Sequence, residues 1–416
     1  MYPILEAVII QFRLIYRVDF LKSPMLEAIL CDQIISKRKM SMKKMNQALV
    51  AVGLFSMSSL LLADSGYKIY IDAGSSGSRI HLFQYETVNN GMPVITEIFS
   101  EDVKPGVSSF INTPQNAGAS LKKLFDDVSN QLQSLNVSSP VPVNLFATAG
   151  MRLFPIDQQG PVYANIVNYI KTNYSLITPG DIETIPGKME GLYGWLDVNY
   201  LAGNFQNHKP TLGTLDMGGA STQIVFETND NTKPDDEISV NINGDAHHVW
   251  SKSFLGLGQD QARANMGNLE NDAVCYPDNY PMTEAQVGHF NFSSCKTNYT
   301  HVIKHLDVLP VTGQSFIAFS GAYYAYSFFE VDKTPDQATV ESKIQNVCSL
   351  NWDDLQKKYP TVPAAYLAAY CANGTYIDDL FYNQYHVQGA QLNVATQVNG
   401  KDIDWPLGAV LYSLVK

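Results

Sequence analysis

The alternation of hydrophobic and polar residues predicts two similar strand–loop–strand units that lie far apart in the chain. Residues 67–72 alternate, a Gly/Ser run interrupts the pattern, and the alternation resumes over residues 80–85. This is typical of a hairpin. Residues 211–216 and 223–226 repeat the arrangement around a second glycine-containing turn. A repeat on this scale predicts a duplicated α/β lobe with a cleft between the copies.

Other segments have periodicities of their own. Apolar residues at helical spacing predict amphipathic helices, and one buried run predicts a further strand. The expected helices cover 117–135, 162–173 and 190–201, and the strand is Val141–Ala147. A polar loop is expected for 229–237, and 244–295 is interpreted as an irregular decoration of the second lobe.

Residues 40–63 have the composition of a secretory signal peptide. Two lysines precede an apolar run over 48–62, and Ala63 is a small residue at the expected cleavage point. An uncleaved membrane anchor is the alternative, but a spanning helix needs about 20 apolar residues and this run is shorter. Residues 1–39 are interpreted as an over-extended reading of the gene, or otherwise as a genuine extension. We therefore expect a secreted protein, extracellular or periplasmic.

The charge of the remaining chain excludes some partners. Eight of the 28 basic and four of the 40 acidic residues precede Asp64, so the remainder has a net charge of −16. Such a surface disfavours general binding to nucleic acid or to anionic membranes. An anionic substrate would have to be held locally, by backbone amides and a metal ion.

Four cysteines follow the predicted signal: Cys275, Cys295, Cys348 and Cys371. An even number in a secreted chain predicts two disulfides, with three possible connectivities. We favour Cys275–Cys295 and Cys348–Cys371, because pairing neighbours closes short loops. None belongs to a CxxC motif, so a zinc or redox role has little support.

The first Gly/Ser loop, residues 72–79, has the composition of an anion-binding loop. Gly74 and Gly77 let the backbone approach an anion closely, and successive N–H groups there could form a nest. Further donors come from Ser75, Ser76, Ser78 and Arg79. Asp72 would repel phosphate but could hold a divalent cation, directly or through waters. For this loop alone, an exposed hairpin turn is an equal alternative.

The second loop makes coincidence improbable. Asp216 again ends a strand, and the backbone of Gly218, Gly219 and Ala220 is again open to close approach. Polar side chains follow, from Ser221, Thr222 and Gln223. Two aspartate-led nests that face each other across a cleft suit a polyphosphate chain and its metal ion.

Glu190, in the sequence GKMEG, is a candidate for activating water. A carboxylate at the start of a helix could orient water for in-line attack on a terminal phosphorus. The alternative is a carboxylate that is merely stabilised by the helix dipole. Thr148 and Arg152 form another donor cluster at a glycine turn, or a plain strand-to-helix turn.

Five motifs in this order resemble those of the apyrase family, the nucleoside triphosphate diphosphohydrolases, over residues 68–415. They occupy 71–79, 147–153, 190–201, 215–223 and 319–324. The resemblance implies α/β lobes duplicated as in actin, Hsp70 and RNase H-like proteins, with the active site in the cleft between them. We expect the first lobe to comprise 64–186 with about 395–416, and the second to comprise 187–394.

The resemblance also implies roles for residues. Glu190 would be the general base, and Ser221 and Gln223 would position the attacking water. Asp72 and Asp216 would hold waters of a Mg²⁺ or Ca²⁺ ion. The implied substrate contacts are Gly74, Ser75, Ser76, Gly77, Ser78, Arg79, Thr148, Gly218, Gly219 and Ala220. The expected activity is hydrolysis of nucleoside tri- and diphosphates to the monophosphate.

Tyr324 matches the position where members of this family stack an aromatic ring on the nucleobase, and Tyr323 is the next candidate. The alternative is that both are core residues, because 316–329 is strongly aromatic. Met189 stands where many relatives have a second polar or acidic residue. Glu190 therefore has no second carboxylate next to it in the sequence. We expect a monomer without stable membrane insertion after signal cleavage.

Two other functions use the same features. A sugar-type kinase or polyphosphate phosphatase would share the fold. However, a kinase needs cytosolic ATP, and a polyphosphate phosphatase would lack the Tyr323–Tyr324 pair. A non-catalytic nucleotide sensor or adhesion protein would tolerate loss of Glu190 or Ser221, and the chain has both.

Overall fold

The computed structural model describes residues 64–88, 91–229, 233–269, 271–304, 306–311, 313–387 and 391–415. The predicted signal peptide, residues 40–63, and the preceding residues 1–39 lie outside these ranges.

The first predicted hairpin forms the centre of a five-stranded mixed sheet. Its strands are β1 (Ser65–Ala73), β2 (Ser78–Glu86), β3 (Val94–Val103), β4 (Val141–Ala147) and β5 (Ile177–Thr184). The order across the sheet is β3-β2-β1-β4-β5. β1 pairs antiparallel with β2 and parallel with β4.

Helices cover one face of this sheet. They are α1 (Ala117–Ser120), α2 (Lys122–Ser134), α3 (Ala149–Arg152) and α4 (Ile156–Asn173). The helix predicted over 117–135 is divided at Leu121, whose ψ of 3° interrupts the helical backbone. Apolar side chains of α2 and α4 and of β1 and β4 form one buried core.

A long helix, α5 (Gly187–Leu201), leads to the second sheet. Its strands are β6 (Gly213–Met217), β7 (Ser221–Glu227), β8 (Glu237–Ile242), β9 (Asp245–Leu255), β10 (Phe316–Ser320) and β11 (Leu392–Val394). Their order is β11-β10-β6-β7-β9-β8. The expectation that 244–295 is irregular is wrong, because β9 is an interior strand between β7 and β8.

The remaining helices of this part are α6 (Gln259–Met266), α7 (Phe292–Ile303), α8 (Gly321–Phe328), α9 (Gln337–Cys348), α10 (Trp352–Lys358) and α11 (Ala364–Asp378). A π-helical segment, Asp379–Gln384, continues α11. Both favoured disulfides are formed, Cys275–Cys295 and Cys348–Cys371, and the second joins α9 to α11. Within the described ranges, no helix has the length and apolar character to cross a membrane.

The two sheets repeat one plan. β6 pairs antiparallel with β7 and parallel with β10, as β1 does with β2 and β4. The register is also the same, because Asp72 lies opposite Arg79 and Asp216 lies opposite Gln223, seven residues on in each case. The prediction of a duplicated α/β fold is confirmed.

The space between the sheets is filled by α5 and the last helix, α12 (Trp405–Val415). Their shared core includes side chains from both sheets, such as Tyr70 and Val225. The Trp405 ring stacks 6.1 Å from that of Tyr193. The helices cross closely at Gly408, where an added Cβ would lie 1.8 Å from the Tyr193 carbonyl oxygen. Only glycine allows this approach. Two short strands, β12 (Gln397–Val398) and β13 (Lys401–Asp402), precede α12.

We expect Gly408→Ala to destabilise the protein by about 1–3 kcal/mol or more, because the methyl group must push the two helices apart. Gly160→Ala is the matched control. It is also within a helix, α4, but is exposed, and outside its chain neighbours and its own helix backbone no atom lies within 4 Å of an added Cβ. That change should cost less than Gly408→Ala, because the added methyl group meets no neighbouring element. Urea unfolding monitored by circular dichroism measures both. Equal stability of the two variants would contradict the close crossing.

Candidate active site

The two predicted phosphate-binding loops face each other. An added Cβ at Gly219 in the second loop would lie 2.8 Å from Ser75 Oγ in the first. A Cβ at Gly150, in the turn that begins α3, would lie 2.8 Å from Ser75 Cα. Thr148 precedes that turn and donates its backbone N–H to the Ala73 carbonyl at 3.2 Å. The fold therefore gathers both loops and the Thr148 turn around one point.

The first loop is closely supported by its neighbours. Gly106 lies against it, since a Cβ there would be 2.4 Å from the Gly74 carbonyl oxygen. Ser76 is exposed, whereas Ser75 is half-buried between the loops. Ser78 lies differently. Its side chain is buried, on the opposite face of β2 from Arg79, because successive residues of a strand alternate. The hydroxyl of Ser78 therefore does not line the cleft.

The second loop is held by the start of α6. The Gly218 carbonyl accepts from the N–H of Gln259 at 2.9 Å, and the Gly219 carbonyl accepts from Asp260 at 3.0 Å. In a trans peptide the following N–H points opposite to the carbonyl. The N–H groups of Gly219 and Ala220 are therefore directed away from α6, as an anion-binding loop requires.

Asp72 and Asp216 are the second-last residues of β1 and β6, and both carboxyls interact electrostatically with Glu190. Burial, followed by the charges of Asp404 and Glu190, raises the pKa of Asp72 well above its usual range. Its Oδ1 is buried without a hydrogen-bond partner. Burial, followed by the Glu190 charge, raises the pKa of Asp216 to about 7. The cleft therefore concentrates carboxyls without enough protein cations to neutralise them.

Glu190 lies in the first turn of α5 and is buried. Arg152 forms an ion pair with its Oε2, and Gln223 Nε2 donates to the same oxygen at 3.2 Å. Gln223 Nε2 also lies 2.9 Å from Ser221 Oγ. Burial raises the pKa of Glu190, and the Arg152 charge opposes that rise. The three residues expected to activate and position water are thus in one hydrogen-bonded group.

Asp404 was not among the predicted site residues. Its carboxylate accepts from Arg79 Nη1 at 3.2 Å, and its backbone N–H donates to the carboxylate of Asp197 at 2.8 Å. Asp197 is fully buried on α5, two turns after Glu190. An aspartate just before a helix is a common capping residue, so the sequence contains no signal for this link to the first loop.

Ser320 is a second residue that the prediction missed, although the fifth motif contains it. It is the last residue of β10, and its φ of 56° is unfavourable for a residue with a side chain. Its hydroxyl hydrogen-bonds Asp216 and lowers the pKa of that carboxyl, against the effect of burial. Strained backbone beside a cleft carboxyl is a common feature of functional sites.

The aromatic residues of α8 are divided between core and surface. Tyr324 is 62% exposed, so the alternative of a core role is wrong for this residue, whereas Tyr323 is partly buried. Tyr366 and Tyr370 are one turn apart on α11, and both Tyr366 and Tyr324 interact electrostatically with the Tyr370 hydroxyl. Tyr370 is stacked 4.0 Å from Phe328. Two further tyrosines therefore stand near the predicted base contact.

Comparison with known proteins places this geometry in a family. Residues 60–273 and 291–416 match the GDA1/CD39 (nucleoside phosphatase) family. Ectonucleoside triphosphate diphosphohydrolase 1 of Bos taurus is 28% identical, over 88% of this chain and 84% of its own length. Probable apyrase 3 of Arabidopsis thaliana is 25% identical, over 84% and 82%.

A solved structure has the same fold. The nucleoside triphosphate hydrolase of Neospora caninum superposes with a TM-score of 0.65 at 17% identity, covering 90% of this chain and 97% of that one. The family and the enzyme class predicted from the motifs are both confirmed. The chain belongs to the GDA1/CD39 (nucleoside phosphatase) family.

Proposed function

We propose that this protein removes the terminal phosphates of nucleoside tri- and diphosphates and stops at the monophosphate. The observation that supports this most is the meeting of the two aspartate-led loops at Ser75 and Gly219, beside Glu190. The loops bind and position phosphate, and the carboxylate activates water. The chain is similar over most of its length to proteins named nucleoside triphosphate diphosphohydrolases and apyrases.

The first loop and its neighbours bind the phosphates. Backbone amides near Gly74 and Gly77, the hydroxyls of Ser75 and Ser76, and Thr148 supply donors to oxygens. The second loop adds the amides of Gly219 and Ala220. Backbone N–H groups donate hydrogen bonds to phosphate oxygens without adding a net charge to the cleft.

Glu190 accepts the proton of the attacking water. Ser221 and Gln223 hold that water in line with the terminal phosphorus, since both belong to the hydrogen-bonded group around Glu190. Burial raises the pKa of Glu190, and a carboxylate with a raised pKa is a better proton acceptor than an exposed one.

Asp72 and Asp216 would hold a divalent cation, directly or through waters. Asp72 Oδ1 has no hydrogen-bond partner, and the pKa of both carboxyls is raised. A cation site has these properties when no cation is bound. Among the described residues, no three acidic, His or Cys side chains are grouped as ligands, which fits a cation held through waters. Mg²⁺ or Ca²⁺ would neutralise charge on the phosphate oxygens.

Tyr324 stacks on the nucleobase. Its exposure, and the position of Tyr366 and Tyr370 close by, provide apolar area for a ring on α8 and α11. Stacking tolerates any base, so we expect broad nucleotide use.

Secretion is part of the proposal. Its support is the signal-like sequence of residues 40–63 and the two disulfides, which are typical of oxidising compartments.

The purified protein should release phosphate from ATP and ADP but not from AMP, and EDTA should abolish release until Mg²⁺ or Ca²⁺ is added back. Phosphate release is measured for each nucleotide at equal concentration. Activity on AMP, or activity that EDTA does not reduce, would overturn the proposed reaction.

Glu190→Gln should lower kcat by about 10²–10⁴-fold, because the amide keeps the shape of the carboxylate but accepts no proton. Glu284→Gln is the control, since Glu284 is an exposed carboxylate of the second lobe. Steady-state kinetics with ADP compares the two. If Glu190→Gln stays within a few-fold of the parent, another residue is the base.

Tyr324→Ala should raise the KM for ADP about tenfold and change kcat little, because a base stack is worth about 1–3 kcal/mol. Tyr324→Phe retains the ring and should behave like the parent. An equal effect of both variants would show that the hydroxyl, and not the ring, is what the substrate contacts.

A further inference from the structure

We propose that Arg152 is a positioning residue for Glu190: it anchors one oxygen of the carboxylate and leaves the other for the attacking water, and Ser253 holds Arg152 in place. This inference rests on the proposed function of Glu190 as the base. It assigns a role to two side chains that the predicted mechanism did not use.

Arg152 ends α3, one turn after Thr148. Its Nη2 pairs with Glu190 Oε2, and its Nη1 donates to Ser253 Oγ at 3.4 Å. The Nε atom is buried and has no hydrogen-bond partner. The described contacts of this guanidinium are therefore with the base and with Ser253, and the side chain is only 13% exposed.

The two oxygens of Glu190 are not equivalent. Oε2 accepts from both Arg152 and Gln223, whereas no donor among the described residues reaches Oε1. An ionised carboxylate accepts through about four lone pairs and donates none. Because Oε2 already has two donors, Oε1 is the oxygen available to take a proton from water. The guanidinium thus selects the reactive oxygen.

Ser253 joins this anchor to the water-positioning amide. Its Oγ lies 3.0 Å from Gln223 Nε2 as well as 3.4 Å from Arg152 Nη1. Ser253 is on β9, beside β7, and lies opposite Gln223 in the register. One hydroxyl therefore fixes the relative positions of the two groups that donate to Glu190 Oε2.

Gly187 provides the room for this arrangement. It is the first residue of α5, and an added Cβ would lie 2.4 Å from Ser253 Oγ and 2.5 Å from Arg152 Nη1. Any side chain at this position would displace both groups. The contact between Arg152 and Ser253 therefore requires glycine as the first residue of α5, the helix that carries Glu190.

The electrostatic environment of Glu190 also supports a positioning role for Arg152. The charged groups that face Glu190 are Arg152 from α3, Asp72 from β1 and Asp216 from β6. The Glu190 charge raises the pKa of both Asp72 and Asp216. The pKa of Glu190 is already raised by burial, and Arg152 is the group that opposes the rise. Without it, protonation of the base would extend to higher pH.

Arg152→Gln tests the proposal. We expect kcat for ADP to fall about 10–100-fold, as misplacement of a catalytic group does, with KM within about twofold. The acid limb of the kcat–pH profile should move to higher pH. Arg152→Lys keeps the positive charge but loses the planar set of guanidinium N–H donors. Its acid limb should therefore stay close to that of the parent. Unchanged kcat and acid limb with a raised KM would make Arg152 a phosphate ligand and overturn the proposal.

A readout independent of turnover comes from infrared difference spectra, in which Glu190→Gln identifies the Glu190 carboxylate band. The pH at which that band titrates should rise in Arg152→Gln. If it does not move, Arg152 does not control the base. If Glu190→Gln itself leaves activity intact, the proposed function fails instead, so the two failures are distinguishable.

Ser253→Ala and Ser251→Ala form a matched pair on β9. Ser251 is buried two residues away, and its hydroxyl donates to the Lys188 carbonyl at 2.7 Å, apart from the anchor. We expect Ser253→Ala to lower kcat about 3–10-fold, the worth of one hydrogen bond. Ser251→Ala should keep the parent kcat. Equal losses in both would assign the effect to the strand and overturn the role of Ser253. This pair also provides the test if the Arg152 variants do not fold.

Discussion

The structure depends on one constraint, which is that several carboxyls are buried close to one another. Ionised carboxyls out of water are costly unless each has a partner, and like charges raise the cost. Three of the carboxyls have different partners. Glu190 has Arg152, Asp404 has Arg79, and Asp216 has the Ser320 hydroxyl. Asp72 keeps an oxygen without a hydrogen-bond partner, and this oxygen is where the proposed cation would act.

The two buried helices, α5 and α12, fix the positions of these carboxyls relative to one another. α5 presents Glu190 at its start, and two turns later it presents Asp197, which binds the backbone just before α12. That backbone belongs to Asp404, the partner of Arg79. A shift of α12 against α5 would therefore move the first loop relative to the base. The close crossing at Gly408 limits such a shift, so packing far from the phosphates sets the geometry of the site.

The sequence predicts features that are local. The hairpins around Asp72 and Asp216 follow from strand alternation and glycine loops, and Tyr324 follows from a motif. Features that join distant segments had no signal. Arg79 and Asp404 are 325 residues apart, and Arg152 and Ser253 are 101 apart. β9 was missed because buried serines such as Ser251 make an interior strand look polar. Ser78 was assigned to the cleft because a loop sequence does not show on which face its last residue lies.

The duplication also explains why the two loops are not equivalent. In the same register, the first hairpin places Arg79 opposite its aspartate and the second places Gln223 there. Arg79 lies across from Asp404 and leaves a charged donor near the phosphate loop. An arginine at the second position would bring another positive charge to Glu190 and make it a weaker base, whereas a neutral amide can orient Glu190 without that effect. The positive charge that pairs with Glu190 comes instead from Arg152, which ends α3 beside the first sheet. In the proposed mechanism, the base on α5 is therefore held by a side chain that follows β4 of the first sheet, so residues from both halves of the duplicated fold act together.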